Sequence, residues 1–161
     1  MMPGTNCRPP FIALIALVAA GCGSYFMPHR DISERVEVDA VIGTWWLTEE
    51  SLRMLERGGF RREPGHAYTI AFEPNNRCRF ASVLETDKPS YLDAPCTWTL
   101  QHDWKDLNGR RIPNQLRLSV SLPNGPYGFD LGFARSDGTL VLWTPYSDPD
   151  LWQFLEYAKR P

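Results

Sequence analysis

Val41-Ile42-Gly43-Thr44-Trp45-Trp46-Leu47 runs without a break into Thr48-Glu49-Glu50-Ser51-Leu52-Arg53-Met54-Leu55-Glu56-Arg57-Gly58-Gly59. The first seven residues are apolar, β-branched or aromatic and read as a strand. The rest changes period. Thr48 is a good N-cap, and Glu49 and Glu50 sit at the positive end of the helix dipole. Leu47 before the cap and Leu52 at the fourth helical position fit a hydrophobic staple. Leu52 and Leu55 share one face, with Met54 at its margin. Arg53 and Arg57 lie toward the negative end, and Gly58-Gly59 stops the helix. The spacing predicts a strand and then a single short helix over 49–57.

Everything after this helix alternates with period two between turn signals. His66 to Glu73 puts Tyr68, Ile70 and Phe72 on one face, and Pro74-Asn75-Asn76 turns the chain. Arg77 to Leu84 sets Cys78 and Phe80 against Arg77 and Arg79. Pro95 to His102 groups Cys96, Trp98 and Leu100. Gln115 to Leu122 sets Leu116, Leu118, Val120 and Leu122 against Arg117, Ser119 and Ser121. Tyr127 to Arg135 aligns Tyr127, Phe129, Leu131 and Phe133, and Ser136-Asp137-Gly138 is a hairpin turn into Thr139 to Thr144. Leu151 to Lys159 could open as a helix at Asp150 and Gln153. It is read as a strand, because an eighth strand closes a sheet that seven would leave with an open edge. The fold class is therefore all-β: an eight-stranded up-and-down barrel with one short helix between strands 1 and 2.

Reading outward from Val41, the amino end carries a different message. Phe11 to Ala20 is an uncharged apolar run preceded by Arg8. It is half the length of about 20 residues needed to cross a bilayer and has the size of a signal-peptide apolar region. Leu17-Val18-Ala19-Ala20-Gly21-Cys22 resembles the lipobox of bacterial lipoproteins, with Ala19 where Leu is commonest. The resemblance implies a signal peptide over 1–21 and an acylated (palmitate-bearing) Cys22 as the mature amino terminus. It also implies attachment to the cell envelope. Gly23 rather than Asp after the cysteine favours the outer membrane, facing the periplasm. Residues 22–40 are polar without a period and read as a tether, so the domain spans 41–161.

Four cysteines are then accounted for: Cys7 leaves with the signal, Cys22 takes lipid, and Cys78 and Cys96 remain for a disulfide in an oxidising compartment. Their shared strand parity places both on inward faces. A formal net charge of −2 offers no basic surface for nucleic acid.

Gly43-Thr44-Trp45 resembles the Gly-x-Trp of lipocalins, in which the Trp plugs the closed end of the barrel. Leu140-Val141-Leu142-Trp143 with Asp148-Pro149-Asp150 resembles the carboxy end of small lipocalin-like bacterial lipoproteins. The other lipocalin signature segments have no counterpart, and the helix after strand 1 is closer to the lid of fatty-acid-binding barrels. The resemblance implies the architecture and a Trp45 floor more than a ligand.

Chemistry is sparse. His29, His66 and His102 are scattered, without a nucleophile motif, and read as surface histidines. Asp148 and Asp150 flank a proline in a turn, are too few for calcium, and read as turn residues. No metal, cofactor or catalytic group is expected. All the Phe, Trp and Tyr residues but Phe11, Tyr25 and Phe26 follow Gly43. That density suits a filled barrel acting in protein interaction or structure. The alternative is a binding protein for a small apolar ligand, held under helix 49–57 by Leu52, Leu55, Tyr68, Phe72, Phe129 and Leu131.

Overall fold

The computed structural model describes residues 32–84, 89–105, 109–146 and 153–160. A short helix α1 (Val38–Val41) leads into β1 (Gly43–Leu47), helix α2 (Glu49–Arg57), β2 (Thr69–Phe72), β3 (Arg77–Leu84), β4 (Ser90–Lys105), β5 (Arg111–Leu122), β6 (Gly125–Ser136), β7 (Thr139–Pro145) and β8 (Phe154–Lys159). Each strand pairs antiparallel with the next, and β8 returns to β1 to close an eight-stranded barrel. The carboxy-terminal segment is a strand, as an edge-free sheet requires. The residues Asp148, Pro149 and Asp150 lie outside those described.

Local chemistry shapes the connections. Asp137 (φ 49°) and Gly138 (φ 77°) both take left-handed backbone, the requirement of a two-residue turn matched to strand twist. Helix α2 has the expected punctuation. Thr48 Oγ1 accepts from Ser51 N at 3.3 Å. At the other end Phe60 N donates to Leu55 O and Gly59 N to Glu56 O, with Gly59 at φ 95°. This Schellman motif buries Phe60 against the helix end.

The core is one contiguous cluster inside the barrel. Trp45, Ile70, Phe80, Leu116, Leu118, Leu131, Phe133, Leu142 and Tyr157 are all at most 1% exposed. Rings meet edge to face, Phe80 on Phe129 at 5.6 Å and Phe72 on Trp98 at 5.7 Å. One polar pair crosses the interior: Ser82 Oγ and Tyr157 OH share a hydrogen bond of 2.8 Å. Burial drives the Tyr157 pKa above its ordinary value near 10. The folded protein holds that proton more tightly than the unfolded chain, so the stabilisation is complete below about pH 10 and lost as pH rises further. In an alkaline titration, the Tyr157 phenolate should form only together with loss of the near-ultraviolet dichroism. Ionisation of every tyrosine in the intact fold would contradict this.

A second apolar cluster lies on the outer wall: Ala134, Val141, Trp143 and Phe154. It explains why Leu140-Val141-Leu142-Trp143 is apolar on both faces. Trp143 lies flat over its register partner Gly132, where a Cβ would sit 2.6 Å from the indole.

The tether reading of 22–40 is corrected for its last part. Residues 32–42 are packed on the barrel, so the folded unit includes Ile32 and does not begin at Val41. Val36 and Val41 are buried, and Ile32 N donates to Phe133 O at 3.2 Å. The buried Asn114 side chain accepts from Val36 N at 2.9 Å and donates to Glu34 O at 2.8 Å. Glu34 pairs with Arg135. The sequence hid this strap because its apolar residues have no regular spacing and its hydrogen bonds go to distant residues, Asn114, Phe133 and Arg135. Asn114→Ala should cost about 1–3 kcal/mol by leaving buried backbone groups unpaired, and should speed hydrogen exchange at the Val36 amide. An unchanged exchange rate there would show that the strap is held by other contacts.

Candidate functional site

The barrel has two ends of different construction. At the end where β1 begins, Gly43 (φ 120°) turns the chain from α1 into the sheet. Trp45, 1% exposed, points into the core and its Nε1 donates to Val41 O at 2.7 Å. Lys159, from the last strand, donates from Nζ to Ile42 O at 2.7 Å and lies 5.1 Å above the Trp45 ring. Partial burial lowers the Lys159 pKa. The strap, α1, Trp45 and Lys159 together floor this end, and the expectation that Trp45 is a core residue holds.

Helix α2 occupies the opposite end. Thr48 N bonds Glu156 O at 2.8 Å, and the Ser51 hydroxyl, itself buried, accepts from Glu156 N at 2.9 Å. The helix is thereby docked on β8. Leu52 and Leu55 are 8% and 0% exposed and belong to the same core as the barrel interior. Arg62 fastens the following connection to the helix through Glu49 and Glu56, each at 2.7 Å. It lowers the Glu49 pKa by hydrogen bonding. Neither partner was assigned to Arg62 by sequence, which explained Glu49 through the helix dipole alone.

The six residues expected to line a ligand site do not surround one space. Tyr68 is turned toward Phe60 and Tyr91 at 5.7 and 5.5 Å, and its hydroxyl accepts from Glu63 N. Phe72 is the register partner of Gly43 and so sits near the closed end, away from the helix. Phe129 packs on Phe80, and Leu131 is fully buried. A period-two pattern gives the face of a residue but not its height in a tilted barrel.

Three surface depressions bear on binding. One of about 530 Å³ lies between α2 and the β8 side of the barrel and is lined by residues including Met54, Arg57, Tyr146 and Phe154. A second, about 290 Å³, lies over the disulfide beside Arg77, Arg79 and Asp93. A third, about 310 Å³, joins Ser33, Arg35, His102, Asp103 and Arg111 near the strap. None is lined by Leu52, Leu55, Tyr68, Phe72, Phe129 or Leu131.

Cys78 and Cys96 are direct register partners on β3 and β4, with Cα atoms 4.7 Å apart, and form a disulfide. That separation marks a non-hydrogen-bonded antiparallel pair. His66 pairs with Glu63 at 2.8 Å and stacks on Tyr91. His102 Nδ1 bonds Asn114 Oδ1 at 3.1 Å, helping to hold the residue that grips the strap. Cys22 and His29 lie outside the described residues. Among the described residues no group of three His, Cys, Asp or Glu side chains could hold a metal, and no helix is long and apolar enough to cross a membrane. Comparison with protein-family models, curated proteins and solved structures gives no match.

Proposed function

We propose that this chain is a lipid-anchored lipoprotein of the bacterial envelope, held at the outer membrane by Cys22. Its lipocalin-like barrel is a non-catalytic module for protein interaction or structure. The observation that carries the reading is the single apolar cluster inside the barrel, which supports a filled interior. Aromatic and aliphatic side chains from every strand occupy it, and Leu52 and Leu55 of α2 join the same core. A carrier of small apolar molecules needs a void of a few hundred Å³ lined by such residues. Here the depressions named above lie on the surface, where loops and helix α2 can meet another protein. The Gly43-Thr44-Trp45 corner at the floor supports the lipocalin likeness, and the lipobox supports the anchor.

Titration with a fluorescent fatty acid tests the module. No saturable binding is expected, and Leu52→Ala should lower stability without changing the fluorescence. Saturable one-to-one binding that Leu52→Ala weakens would replace this reading with the ligand-binding one. The anchor is tested separately: Cys22→Ser should leave an unprocessed or released chain, whereas normal processing and membrane association would overturn it.

A further inference from the structure

The β4–β5 hairpin is longer than its neighbours. β3 pairs with β4 only as far as Thr97, and β6 pairs with β5 only from Leu116. Residues 101–105 and 111–115 therefore pair in the sheet only with each other, and this two-stranded arm meets the strap on its β5 side through Asn114. The arm projects at the closed end, where α1 enters β1 and where the strap is gripped by Asn114.

Near the end of this arm Trp104 and Ile112 are direct register partners on one face. Both are only half-buried, and neither belongs to nor packs on either apolar core. At the same end of the barrel is Val38, 45% exposed, the one large apolar side chain of the described residues that is exposed outright. Lys105 and Arg111, both exposed, face each other across the next register position. Like charges directly opposed are unfavourable on a hairpin by themselves. Asp103 neutralises Arg111 at 2.6 Å and Glu37 lies beside Arg35. The net charge is therefore small, and the apolar pair weighs more than the cations.

We propose that this arm, through Trp104 and Ile112 with Val38 of α1, docks the closed end of the barrel on the phospholipid surface. The reason for choosing a bilayer is position. In the lipoprotein reading, on which this inference rests, Cys22 is embedded in the membrane. Residues 23–31, fully extended, span on the order of 30 Å. The strap at Ile32 thus keeps the closed end within that distance of the lipid. A half-buried tryptophan beside an aliphatic side chain suits the headgroup boundary. A lipid anchor holds more firmly with such a second contact. Helix α2 and its depression would then face away from the membrane.

The test uses the processed, lipidated protein in vesicles of phosphatidylethanolamine and phosphatidylglycerol with brominated acyl chains. Trp104 is read as the difference between the wild type and Trp104→Phe. Its emission should be quenched and shifted to the blue, and Ile112→Glu combined with Val38→Glu should abolish both effects while the unfolding midpoint stays unchanged. A protein that floats with the vesicles while Trp104 is as unquenched as in detergent refutes the docking and leaves the anchor standing. A protein that does not float, with Cys22 unmodified by mass, refutes both.

Discussion

Trp45→Ala should destabilise the domain by about 3–5 kcal/mol, the range for removing a fully buried large aromatic side chain. The ring is 1% exposed, and three elements meet on it. Val41 O takes its N–H at 2.7 Å, Lys159 lies over its face, and the core packs on its other side. Trp45→Phe should retain most of the burial and lose the hydrogen bond, costing about 1–2 kcal/mol less than the alanine variant loses. Urea denaturation of both variants separates packing from bonding. An alanine variant within about 1 kcal/mol of wild type would show that the floor does not depend on this ring. Neighbouring Trp46, whose ring lies 3.8 Å from the Arg160 guanidinium, is only half-buried. Its replacement should matter far less.

Reducing or removing the disulfide carries the next largest expected effect. Cys78 and Cys96 close a loop with a sequence separation of 18. Chain-entropy reasoning gives about 3 kcal/mol for a loop of that size. Cys78→Ser with Cys96→Ser should therefore lower stability by about 2–4 kcal/mol, acting mainly through the unfolded chain. The native spectrum should survive, because Phe72 and Trp98 still pack beside the lost bridge. Thiol counting on the oxidised protein provides the direct check. No free thiol is expected at Cys78 or Cys96, and two would contradict the pairing.

The barrel was legible in the sequence because alternation and turn chemistry agreed along nearly all of it. Helix α2 was legible to its ends because Thr48, the Leu52 and Leu55 pair and Gly58-Gly59 are local signals in one short stretch of chain. What the sequence concealed depends on contacts between distant residues. The strap at 32–37 is defined by Asn114, nearly eighty residues away, and nothing local marks it. Arg62 between Glu49 and Glu56 and Arg117 against Asp130 are visible only once the register is known. The heights of the six expected lining residues in the barrel were also hidden from the sequence. Tyr68 and Phe72 share parity, yet Tyr68 precedes β2 and packs on Tyr91, whereas Phe72 ends β2 opposite Gly43 at the floor. The Trp104 and Ile112 pair is likewise visible only once the β4–β5 register is known.

Native mass spectrometry of the protein extracted gently from envelope membranes tests the central claim most directly. The expected spectrum shows a chain beginning at acylated Cys22, with the Cys78–Cys96 bridge intact and no small molecule bound to the barrel. A stoichiometric apolar molecule, retained after lipid exchange and lost on unfolding, would contradict the filled barrel and make this protein a carrier.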